Sequence, residues 1–156
     1  MAVRPAEELI VDEEDLGPLV AVVAELTEAA SGWVNLVPEV ETGHEPDPRS
    51  LVASLFSARG DAVPLATWSA PEAPGRRATL GIEHGSGPKA LARLAEAGLP
   101  LADGWLKAAD HPRRGLVVTA PAGVDPEDAV WWLLTASHAL STVPLTGIWT
   151  ARVYRP

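Results

Sequence analysis

Cysteine is absent from the 156 residues, which removes disulfides, thiolate nucleophiles and cysteine-ligated metals together. No apolar run approaches the roughly 18 residues of a membrane span. The N-terminal stretch MAVRPAEELIVDEED lacks an apolar core, so no signal peptide is expected. These absences fit a protein of the reducing cytoplasm. Lysine is scarce as well, two against ten arginines, and with abundant alanine this is the usage of a high-GC bacterial genome. A general nucleic-acid binder needs a broad basic face, and a chain of net charge −9 does not supply one. Neither nucleic acid nor a membrane is expected as a partner.

With 47% hydrophobic and 21% charged residues, the chain has the composition of a globular protein. Its length suits one domain, or two very small ones sharing a core. The charge is unevenly placed. Residues 1–75 carry 14 acids and 3 bases, residues 76–156 carry 7 acids and 9 bases, so the halves stand at −11 and +2. The second half therefore leaves room for a small anionic ligand.

Four segments read as helices, and each begins at a related pair: Gly17–Pro18, Asp47–Pro48, Gly87–Pro88 and Asp125–Pro126. Proline suits the first helical position because its missing N–H would be unpaired there anyway. Glycine or aspartate before it is a good N-cap. Three of these helices then meet a glycine, at Gly32, Gly60 and Gly98.

The order of these signals repeats. LIVDEEDLGPLVAVVAEL has the layout of LGIEHGSGPKALARLAEA: apolar strand, polar loop, Gly-Pro, helix. Gly32–Trp33 then matches Gly104–Trp105, an Asp-Pro helix follows in each half, and VPLATWSA matches VPLTGIWTA. The second half reads as strand 77–84, helix 88–97, strands 104–109 and 114–120, helix 126–141 and strand 147–154. That order, β-α-β-β-α-β, is ferredoxin-like. The first half has the same order less one strand. The expected architecture is therefore α+β, with two tandem ferredoxin-like units, residues 1–75 and 76–156, arising from an internal duplication. The first is degenerate, the sheets are antiparallel, and the two pack as one compact unit. A single domain with one continuous antiparallel sheet is the alternative.

The stretch IEHGSGPKALARLAEAG invites a phosphate-site reading, because a strand enters a glycine-rich turn and then a helix. It lacks the spacing and final hydroxyl of a Walker A loop, and Gly85 and Gly87 are followed by Ala90 rather than a third glycine. Gly85–Ser86–Gly87 before a helix most nearly resembles the pyrophosphate loop of GCN5-like acetyltransferases. Lys89 replaces the last small residue of that loop, and Glu83–His84 displaces its leading basic residue. Helix initiation alone accounts for the stretch.

Position provides the remaining candidates. In a ferredoxin-like unit, the end of the first strand, the start of the first helix, the β2–β3 turn and the end of the second helix share one rim. Those places hold His84, Gly85, Ser86 and Gly87, then Asp110, His111, Arg113 and Arg114, and finally His138. Free helix amides and arginine donors favour an anion there. Histidines 44, 84 and 111 adjoin acids but lack the spacing of a two-histidine helical site, so no metal is expected. No nucleophile elbow is present, and no catalytic residue or cofactor is assigned.

On the helix DPEDAVWWLLTASHALST, Trp131 falls on the polar stripe shared by Glu127, Thr135, His138 and Thr142. It is either covered internally or available, with His138, as an interface; internal cover is the expectation. Trp33, Trp68, Trp105 and Trp149 occupy matching strand positions and are expected in the core or at the seam between halves. The functional expectation is a non-catalytic binding or assembly module, partnered by a protein or a second copy of the chain. The alternative is an enzyme or ligand sensor that takes a phosphate, nucleotide or acyl-CoA type of anion at the rim of the second half.

Overall fold

Short runs in which every second side chain is apolar become strands, and each strand lies antiparallel to its neighbours. The computed structural model describes residues 3–45 and 60–156. Along the chain come β1 (Glu7–Asp12), α1 (Gly17–Ala29), β2 (Trp33–Val40), β3 (Leu65–Ser69) and β4 (Ala78–Glu83). Then follow α2 (Ala90–Glu96), β5 (Leu106–His111), β6 (Gly115–Ala120), α3 (Pro126–Leu140) and β7 (Leu145–Tyr154). The protein is α+β: one seven-stranded antiparallel sheet in the order β1-β7-β2-β3-β4-β6-β5, with three helices among the described residues. The helix expected at Asp47–Pro48 lies outside the described residues.

The topology differs from two separate sheets at one place. A ferredoxin-like second half would set β7 beside β4. Instead β3 pairs with β4, and β7 lies between β1 and β2. The cause is local. Only residues 70–77 join β3 to β4, and neighbouring strands on a short connection pair readily. The β1-α1-β2 crossover meanwhile leaves a gap one strand wide, which the ten residues of β7 fill.

The three helices among the described residues occupy one side of the sheet, with α3 packed between α1 and α2. Strand residues alternate accordingly. Leu80 and Ile82 of β4 and Leu116 and Val118 of β6 are buried toward the helices, while Thr79, Gly81, Val117 and Thr119 point the other way. Trp68 and Trp149 are buried inward, as expected of core tryptophans. Trp105 is nearly buried and meets Trp132 at 5.5 Å between ring centroids. Trp33 differs: it lies on the uncovered side and stacks on Tyr154 at 4.9 Å.

Two of the three Pro-initiated helices begin as the sequence indicates. Pro18 and Pro126 fall in the first turns of α1 and α3, and Asp125 caps α3 by accepting the Glu127 N–H at 2.9 Å. The third does not. Lys89 is left-handed at φ 57°, which pushes Pro88 out of α2 and leaves a helix of seven residues.

This one-sided arrangement makes adjacent residues of β1 energetically unequal, since Val11 is 1% exposed and Ile10 is 71% exposed. Val11→Ala is expected to cost about 2 kcal/mol and Ile10→Ala less than about 0.5 kcal/mol. Urea denaturation of the two variants at low protein concentration checks this, and equal losses would contradict the one-sided sheet.

Candidate functional site

Alternating strand directions bring the ends of β1, β2, β4 and β5 to one edge of the sheet, with the starts of α1 and α2 and the end of α3. The candidate rim lies on this edge. His84 follows β4 on the helix-facing side and is fully buried. Its Nδ1 accepts the Ser86 backbone N–H at 3.2 Å and lies 2.8 Å from Ser86 Oγ. Because the backbone group can only donate, Nδ1 is the acceptor, and the ring proton of the neutral imidazole sits on Nε2. That buried Nε2–H has no partner among the described residues.

Ser86 Oγ accepts from Arg93 Nη2 at 3.1 Å, which leaves its own proton for His84. Arg93 also donates to the carbonyls of Gly87 and Pro88, at 3.0 and 3.1 Å, and so ties the loop to α2. Burial, with the Arg93 guanidinium beside it, holds the His84 imidazole below its ordinary range; Asp110 partly offsets this. The imidazole is neutral at pH 7.

Asp110 has a role that the sequence did not indicate. Its carboxylate accepts the N–H groups of Ala90 and Leu91 at 3.2 and 3.0 Å, capping α2 from the neighbouring strand β5. The seat envisaged for a free anion at this helix start is thus occupied by the protein's own carboxylate. His111 Nδ1 accepts the backbone N–H groups of Arg113 and Arg114, both at 3.1 Å, and shapes the β5–β6 turn. The side chains of Arg113 and Arg114 are exposed on that turn.

Glycine serves close approach here. A Cβ on Gly85 would stand 2.8 Å from the Asp61 carbonyl oxygen and 2.9 Å from that of Gly60. One on Gly60 would stand 3.0 Å from the Arg113 carbonyl oxygen, and the Gly60 N–H donates to Pro112 at 3.1 Å. Three chain segments therefore meet backbone to backbone at the rim, bringing the Asp110–Arg114 turn against the His84–Gly87 loop.

His138 is on the same edge but has other partners. Its Nδ1 lies 3.0 Å from Glu13 Oε1, and the same oxygen accepts the Trp149 Nε1–H at 2.9 Å. Nothing in the sequence marks Glu13, 125 residues from His138, as the link between β1, α3 and β7. Trp131 is 51% exposed, so the expectation of internal cover is corrected: α1 and α2 flank α3 and leave its outward face open. Among the described residues, no cluster of three or more His, Asp or Glu side chains forms a metal site.

The buried neutral imidazole makes stability depend on pH. Its folded-state pKa is below the unfolded value, so its stabilising effect is complete above about pH 6.5 and is lost as pH falls toward the folded value. The slope is at most about 1.4 kcal/mol per pH unit for one proton. Urea denaturation between pH 7.5 and 5.5 should show wild type losing stability more steeply than His84→Asn, and parallel curves would contradict a neutral buried His84.

No protein-family model, curated protein or solved structure matches the chain.

Proposed function

We propose that the chain is a non-catalytic binding or assembly module and that it works through the side of the sheet opposite the helices. One observation carries this reading: among the described residues no layer covers a surface seven strands wide, and its side chains are mostly uncharged and half-buried by one another. Exposed apolar residues gathered on one face mark contact sites, and this face holds Ile10, Leu106 and the stacked Trp33–Tyr154 pair. The rim supports the same division of labour, since His84, Ser86, Arg93 and Asp110 engage one another and the backbone. A photo-reactive residue in place of Thr79 should form adducts in living cells, while one in place of Glu28 on α1 should not. Absence of adducts at 79, or equal adducts at both positions, would defeat the reading.

The alternative is an enzyme or ligand sensor that takes a small anionic metabolite at the rim formed by His84, Gly85, Ser86, Gly87, His111, Arg113 and Arg114. Exposed Lys89, Arg113 and Arg114 support it, in a chain whose net charge is −9. The Asp110 carboxylate on the α2 amides counts against it. Phosphate titrated to 100 times a micromolar Kd would add about 2.7 kcal/mol of stability. The expected result is no shift; a shift that Arg113→Ala with Arg114→Ala removes would favour the rim.

We also infer that the halves 1–75 and 76–156 descend from a duplicated ferredoxin-like unit. Its support is that β1-α1-β2 and β4-α2-β5 are both crossovers that enclose one strand supplied from elsewhere in the order, β7 and β6. The VPL segments lead into strands with different neighbours, and their tryptophans, Trp68 and Trp149, are both buried.

A further inference from the structure

The uncovered side of the sheet has a composition at odds with the rest of the chain. One register line crosses it from the Glu8–Arg152 pair through Asn35, Thr67, Gly81 and Val117. The next runs from Tyr154 and Trp33 through Ser69, Thr79 and Thr119 to Leu106. In the first line Glu8 and Arg152 pair with each other at 3.4 Å, and the second has one charge lying on it, the Arg77 guanidinium, which donates to Thr119 Oγ1 at 2.9 Å. Acids such as Asp12 and Glu83 stand at strand ends, on the periphery. Among the described residues the charges on this side are thus few and of both signs, in a chain of net charge −9.

We propose that this face binds the same face of a second copy of the chain; the proposal rests on reading the uncovered side as the binding surface. The first argument is electrostatic. Two copies of a chain at −9 repel wherever their acidic surfaces meet, and a side whose few charges are of both signs lowers that cost. The second is area. Seven strands about 4.8 Å apart, at about 3.3 Å per residue, present roughly 600 Å². Two such faces bury roughly 1,200 Å², the least that a stable, specific interface requires. The third is composition: an uncharged centre beside a stacked aromatic pair, Trp33 and Tyr154, with charges at its border, matches the make-up of interfaces.

Geometry then fixes the arrangement. Identical faces meet about a two-fold axis, and aligned sheets pack with strands crossing at about −30°. The fourth of the seven strands is β3, and Thr67 lies at its middle on the open side. An axis through β3 brings Thr67 of the two copies together. It also covers the hydrophobes of the edge strands, Ile10 at 71% and Leu106 at 57% exposure, with the opposite edge of the other copy. Gly81, paired with Thr67, has no side chain to hold the copies apart.

The test uses charge at that axis. Sedimentation of the wild-type chain should show a dimer at concentrations up to about 100 μM. Thr67→Lys and Thr67→Asp should each weaken it roughly a hundredfold by setting like charges against each other, and mixing the two variants should restore it. A single cooperative thermal transition in each variant would establish that both remain folded. A monomeric wild type, or a dimer indifferent to both substitutions, overturns the proposal. So does failure of the mixture to reassociate. If wild type is monomeric while position 79 still forms adducts with another protein, the second copy is excluded and the binding face survives. Without adducts, both fall.

Discussion

A crossover from β1 through α1 to β2 leaves two parallel strands with a gap one strand wide between them, and the rest of the sheet depends on what fills it. Each side of the gap presents a row of backbone N–H and C=O groups that must find partners once helices cover the sheet. β7 satisfies both rows at once, pairing with β1 over six positions and with β2 along most of its length. It also brings Trp149, Ala151 and Val153 into the core beneath α1. Through Trp149 it reaches Glu13, which in turn holds His138 at the end of α3. Insertion of β7, together with the β3–β4 pairing, thus joins the two halves into a single sheet and supports the helix layer above it.

The rim shows the opposite strategy, in which polar groups are brought together in order to be neutralised. Asp110 spends its charge on two helix amides, Arg93 on loop carbonyls and a hydroxyl, and His84 accepts from Ser86 without carrying charge itself. Such a network is favourable only when nearly complete, because an unmatched group in a low-dielectric setting is costly. Among the described residues its one unmatched member is the Nε2–H of His84. The result is a rigid loop start for a helix too short to be stable alone.

Much of this was legible in the sequence, and the parts that were not share a cause. Strand and helix order could be read because alternation in ATLGIE and GLVVTA, and Asp125–Pro126 before an amphipathic run, are local signals. The helical wheel put Trp131 off the apolar stripe correctly. It could not say whether another element lay above it, since that depends on where α1 and α2 dock. Partner choice was hidden for the same reason. LTGIWTARVY alternates equally well beside β4 or beside β1, and only the hairpin that gives β4 its β3 neighbour decides between them. The roles of Asp110 and Glu13 depend on contacts across 20 and 125 residues. The left-handed turn at Lys89 has no marker, because lysine is not a residue that favours it.

The position of β7 also sets an order of events during synthesis. β1 and β2 leave the ribosome early, yet their shared partner is not complete until residue 154 has been added. At roughly 5–20 residues per second, the interval between the end of β2 and the end of β7 is on the order of ten seconds. Throughout it, the nascent chain carries two unpaired strand edges with the apolar residues of α1 beside them. A chain halted before β7 cannot close the first half at all. Closure of this sheet therefore waits on synthesis through β7, and the stretch before β7 emerges is when it most needs protection from other nascent chains.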